Sequence, residues 1–209
     1  WSTAGGVLLL AGAAGATAVA WRASHLRLRR IVRESVPILA VAAVLSTLAG
    51  LVLEKQLDVF RDFGAILVLE PAFVSSAGAL GGVRASGLAT GLDLGTVDPS
   101  VRPARAEWGD ARGVAALAVP VYVFNGVGAY VVGTLLGEAS PGLGLMVAAS
   151  LLGAVGAVAF VVAVAYYGSV AAVRFRVDPD SYGIPIVTSS VDFVGAVALI
   201  LALTILGIR

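Results

Sequence analysis

Six stretches of this chain run for about twenty residues or more with almost no charge: 1–21, 35–53, 63–92, 113–137, 139–173 and 181–207. That pattern constrains the fold more than any other feature. A helix needs about 20 apolar residues to cross the hydrocarbon of a bilayer. Continuous apolar runs, without alternation of polar and apolar positions, exclude a transmembrane β-barrel. The third and fifth stretches exceed one span, so they must tilt, kink or project beyond the lipid. The composition agrees. The chain is 59% hydrophobic and 13% charged, against about 45–50% and about 25% for soluble domains. The reading is an all-α integral membrane protein in contact with the lipid bilayer.

The same composition removes several function classes. With no Cys and a single His, His25 in a basic loop, disulfides, thiolate chemistry and Cys/His zinc sites are excluded. A metal bound here would be a hard cation held by oxygen. A net charge of +1 carries no nucleic-acid footprint. No Ser has an evident base, and one intramembrane aspartate is not a hydrolytic constellation, so no enzyme is expected.

The loops set a direction. "RASHLRLRR" precedes the second stretch and belongs on the cytoplasmic side by the positive-inside rule. Alternation then puts 93–112 and 174–180, with Arg102, Arg105, Arg112, Arg174 and Arg176, on that side as well. Both termini are extracytoplasmic if residues 1–21 span. Trp108, Tyr166 and Tyr167 fall near the expected interfaces. "VDPS" and "VDPD" recur in two inner loops, but Asp-Pro is common turn chemistry and makes no repeat.

Asp192 is the one charge between Ser181 and Gly207. Its helical neighbours are Pro185, Thr188 and Ser189 before it and Gly195, Ala196 and Leu199 after it. Val187, Val191, Val194 and Leu201 form an apolar opposite face. A helix starting near Ser181 puts Asp192 about 16 Å along it, near mid-membrane. An aspartate there costs about 2.5–3.5 kcal/mol and needs compensation. Three roles fit: a hydrogen-bonded structural aspartate, a cation site in a polar pore, or a proton relay. Pro185 favours the cation site, because it frees a carbonyl near Ser181.

The third stretch carries Gly78, Gly82, Ser86 and Thr90 at four-residue spacing, a ridge that lets helices approach closely. Pro71 is expected to break this helix. Glu70 before it is either an outer carboxylate that attracts cations or an interfacial charge. Arg84 either snorkels towards the headgroups or pairs with Asp192. Asn125, in "VYVFNGVGAY", serves as interhelical glue or lines a pore.

Two segments resemble the membrane domain of the MgtE magnesium transporters, and more closely its short archaeal and eukaryotic solute-carrier relatives. One is Pro71 followed by "SSAGALGGVRASGLATGLDLG" (75–95); the other is "DPDSYGIPIVTSSVDFVG" (178–195). The resemblance covers residues 35–209. It implies a five-helix core per protomer, dimerised, with an ion pathway between the glycine-rich helix and the last helix of both chains. It makes Asp192 the pore carboxylate, lined by Thr188, with Gly78 and Ala79 facing it. Ala79 stands where many relatives have Asn, and Gly87 where an Arg is common; Arg84 comes three residues earlier.

The expectation is therefore residues 1–34 as an extra transmembrane helix and basic loop, and residues 35–209 as the five-helix domain. The chain is expected to carry a divalent cation, Mg²⁺ with Mn²⁺ or Co²⁺ as alternatives, as a homodimer in the cell membrane. Asp192, Thr188, Ser189, Gly78 and Ala79 would meet the ion or its water shell. Glu70, Asn125 and Gly82 are pore-lining or outer-mouth candidates. A Na⁺/H⁺-coupled exchanger and a non-transporting membrane subunit are the alternatives.

Overall fold

A computed structural model describes residues 14–15, 26–54, 61–100, 102–175 and 179–208. The expected span 1–21 lies outside these residues, apart from two positions, and so do the side chain of Pro185 and the freed carbonyl proposed beside it. The chain divides into two compact units, residues 1–41 and 42–209. The described part of the first is helical. The second holds all the tertiary contacts discussed below.

Five helices are described: α1 (Leu26–Glu54), α2 (Gly64–Asp93), α3 (Arg105–Leu135), α4 (Leu143–Arg174) and α5 (Pro179–Ile205). No strand occurs among the described residues. Four of the helices are long and apolar enough to cross a membrane: Gly64–Asp93, Glu107–Leu135, Leu143–Arg174 and Val187–Ile205. In α1 an apolar helix is described over Leu39–Glu54, overlapping the uncharged run 35–53.

Several boundaries differ from expectation, each for a physical reason. The basic segment before the second stretch is helical from Leu26; Leu and Arg are strong helix formers and continue the apolar helix backwards. α2 runs through Pro71 without a break. A proline inside a transmembrane helix loses one backbone bond, which its surroundings can offset. α3 begins at Arg105, eight residues before the expected start, and takes the charged "RAEWGDAR" into its first turns.

α2 and α3 end alike. Gly95 and Gly137 take φ of +68° and +75°, a conformation that only glycine adopts without a Cβ penalty. The amides of Thr96 and Glu138 then bond back to the carbonyls of Gly91 and Gly133 at 2.9 Å. These bonds satisfy carbonyls that the helix end would leave open.

α2 and α4 each pack against the other three core helices. Phe73 and Tyr122 are fully buried at the centre, their ring centroids 4.8 Å apart. Glycines set the closest approaches. A Cβ at Gly126 would lie 2.7 Å from the Val147 backbone, and one at Gly81 would lie 2.6 Å from Val187 Cγ1. Of the aromatics expected at interfaces, Trp108 and Tyr167 are exposed. Tyr166 is instead buried, its hydroxyl donating to the Ser100 carbonyl at 3.0 Å.

Candidate functional site

Asp192 sits on the inward face of α5. By helical spacing it shares that face with Ala196 and Leu199, both completely buried. Val187 and Val191, expected on the opposite face, are buried in the bundle as well. Yet Asp192 and Thr188 are only half-buried. The inward face of α5 is therefore closed beyond Gly195 and open at the level of the carboxylate.

Three elements meet at this opening. Ser46, on α1, donates a hydrogen bond from its hydroxyl to Asp192 Oδ2 at 3.1 Å. Glu70, half-buried on α2, lies within electrostatic reach of Asp192. No basic side chain pairs with Asp192 among the described residues. A carboxylate and a hydroxyl in contact, with a second carboxylate in electrostatic reach, are oxygen groups of the kind that a hard cation takes. Ser189 is buried beside Asp192 and Thr188 lies one turn away.

Arg84 is elsewhere. Its Nη2 donates to Glu107 Oε2 at 2.6 Å and to the Glu107 carbonyl at 3.2 Å; its Nη1 reaches Asp110 Oδ2 at 3.3 Å. Arg84 and Glu107 are 6% and 7% exposed. Both expected roles for Arg84, snorkelling and pairing with Asp192, are thus replaced by a buried ion pair. The early start of α3 is the reason, because it brings Glu107 into the bundle.

The glycine ridge divides. Gly81, off the ridge, is the residue wedged against α5 and α4. Gly78 and Gly82 have open space where a Cβ would be, and Ser75, Ala79, Ser86 and Thr90 are exposed. The ridge therefore packs against nothing among the described residues. Asn125 is buried and donates to the Ala72 carbonyl at 3.2 Å and to Ser76 Oγ at 2.8 Å, tying α3 to α2.

Ser46 was missed from sequence. Its signal was present: Ser46 and Thr47 are the only hydroxyl side chains between Ser35 and Glu54.

No curated protein and no solved structure matches the chain. A family model does: that of MgtE, divalent cation transporter, over residues 70–202. This stretch contains Glu70, the glycine ridge, the Arg84 ion pair and Asp192. The match covers well over half of the chain, which therefore belongs to the MgtE family of divalent cation transporters, a multi-pass membrane family of transporters and not of enzymes.

Proposed function

We propose that two copies of this chain carry Mg²⁺ across the cell membrane along a path lined by α2 and α5 of each. The observation that carries the reading is Asp192 itself: a half-buried carboxylate on α5, hydrogen-bonded by Ser46, without a basic partner among the described residues and within electrostatic reach of Glu70. Two half-buried carboxylates that repel one another are unfavourable without a cation, and a passing dication relieves the repulsion.

Mg²⁺ sheds its water reluctantly and binds through one or two carboxylates with several waters retained. Asp192 from each of two copies would neutralise a hydrated ion. Thr188, Ser189, Ser46 and the backbone carbonyls near Gly78 and Ala79 would accept hydrogen bonds from its water shell. Among the described residues of one chain no three acidic, His or Cys side chains converge on a metal site, which fits a site completed by a second copy. The open ridge of Gly78 and Gly82 supplies a face without side-chain obstruction. Glu70 holds cations near the entrance. The positive-inside rule places the Arg102, Arg105, Arg112 and Arg174 end in the cytoplasm.

The test is Mg²⁺ flux into liposomes containing the purified chain. Asp192→Asn is expected to reduce flux at least tenfold while the protein stays folded. Wild-type flux in that variant would sink the reading.

A further inference from the structure

A second site lies between α3 and α4, away from the Asp192 recess. It is a groove of about 1040 Å³, just above the range of about 300–1,000 Å³ for small-molecule pockets. Its walls are apolar and built largely from alanines and valines, such as Ala115, Ala159, Val155 and Val158. Its polar groups gather at one end: Arg84, Glu107, Trp108, Arg112 and Tyr167.

Two observations show what this end is made to hold. Arg84 is 6% exposed, and its Nη atoms are taken by Glu107 and Asp110, but its Nε–H is buried with no acceptor. A buried guanidinium donor without a partner is costly, and this residue lines the groove. Arg112, also lining it, is exposed and has no ion-pair partner among the described residues. Glu107 is neutralised by Arg84, so Arg112 carries the uncompensated charge among the lining residues. The end therefore offers a guanidinium N–H, a guanidinium cation and, at Trp108, an indole N–H to one anionic, acceptor-rich group.

The length of the groove identifies the rest of the ligand. From Trp108 to Val119, both lining it, α3 rises about 16 Å at about 1.5 Å per residue. One leaflet of hydrocarbon is about 15 Å, half of the bilayer core. We infer that this groove is a binding site for an anionic phospholipid. Its phosphate and glycerol-ester oxygens sit at Arg112 and Arg84 Nε, and an acyl chain lies along the alanine–valine wall. Basic pockets between transmembrane helices bind anionic headgroups in this way. The small side chains keep the wall open for the chain. The site is independent of the ion path and stands whether or not the Asp192 reading holds.

Trp108 reports on the site. A full-length chain with Trp1→Phe and Trp21→Phe leaves Trp108 as the only tryptophan. Reconstituted in phosphatidylcholine vesicles, its fluorescence is titrated with brominated phosphatidylglycerol or brominated phosphatidylcholine. The anionic lipid is expected to quench at about fivefold lower mole fraction, the factor that one basic residue near the membrane surface supplies. Arg112→Gln should remove that preference, and Ala159→Phe should reduce quenching by both lipids. Arg84→Lys keeps the charge beside Glu107 but lacks the Nε–H, and should weaken the preference too. Equal quenching by the two lipids overturns the proposal. So does a preference unchanged in Arg112→Gln, or a disulfide between copies formed by Val155→Cys, which would mean that a second protein chain covers the groove.

Discussion

Arg84 and Asp192 are the two charges within the apolar runs whose partners matter most, and they do not meet. Arg84 pairs with Glu107 at 2.6 Å, in an ion pair that is almost wholly buried. Breaking a buried pair leaves an uncompensated charge, which costs about 3–5 kcal/mol. Glu107→Gln is accordingly expected to lower the unfolding midpoint in detergent sharply. Asp110→Asn should do little, because Asp110 is 69% exposed and exposed pairs contribute about 0–1 kcal/mol. A thermal melt of both variants checks the ordering, and equal melts would contradict it. Asp192, by contrast, has only the Ser46 hydroxyl among the described residues. Ser46→Ala should therefore leave stability nearly unchanged while altering Mg²⁺ flux, read in the same liposome assay.

At the scale of the element, α2 has two working faces. One carries Phe73, Ala77, Gly81 and Leu88 into the core. The other carries Gly78, Ala79 and Gly82 along an open side. Gly81→Ala would push a methyl to 2.6 Å from Val187 Cγ1 and 3.2 Å from Val161 Cγ1. Overpacking of that kind costs about 1–3 kcal/mol. Gly78→Ala meets no atom within 4 Å, so its melt should equal wild type while its flux falls. Loss of stability in Gly78→Ala and not in Gly81→Ala would reverse the assignment of the faces. The four-residue ridge was visible in the sequence, but its direction was not. Spacing shows which residues share a face; it does not show which neighbour that face meets. Pro71 makes a similar point. Its cost to a helix is local, and the helix survives because tertiary packing holds both sides of it.

At the scale of the whole molecule, the proposed two-fold pathway would put a second copy against the open ridge and the half-open carboxylate. The chain has no Cys, so a single introduced cysteine reports cleanly. Ala79→Cys, on the exposed side of α2, should form a disulfide between copies in native membranes. Val155→Cys, on the groove between α3 and α4, should not. Monomeric behaviour of Ala79→Cys under oxidation would count against the two-fold pathway.

The sequence by itself determined the class of protein. Long uncharged runs permit only membrane helices, because backbone polar groups in lipid must be satisfied within the helix. The oxygen-only ligand chemistry followed from the missing Cys and the single His, and Asp192 stood out because an aspartate in lipid needs a reason. The resemblance in 75–95 and 178–195 pointed to the family that the match over 70–202 bears out. Only the tertiary structure decided the pairings. It sent Arg84 to Glu107, brought Ser46 to Asp192, and turned Gly78 away from the core. These contacts join residues far apart in the chain, such as Ser46 and Asp192, 146 positions apart. Helical periodicity reaches only a few turns along one element, so the rotation and depth of each helix against its neighbours set them instead.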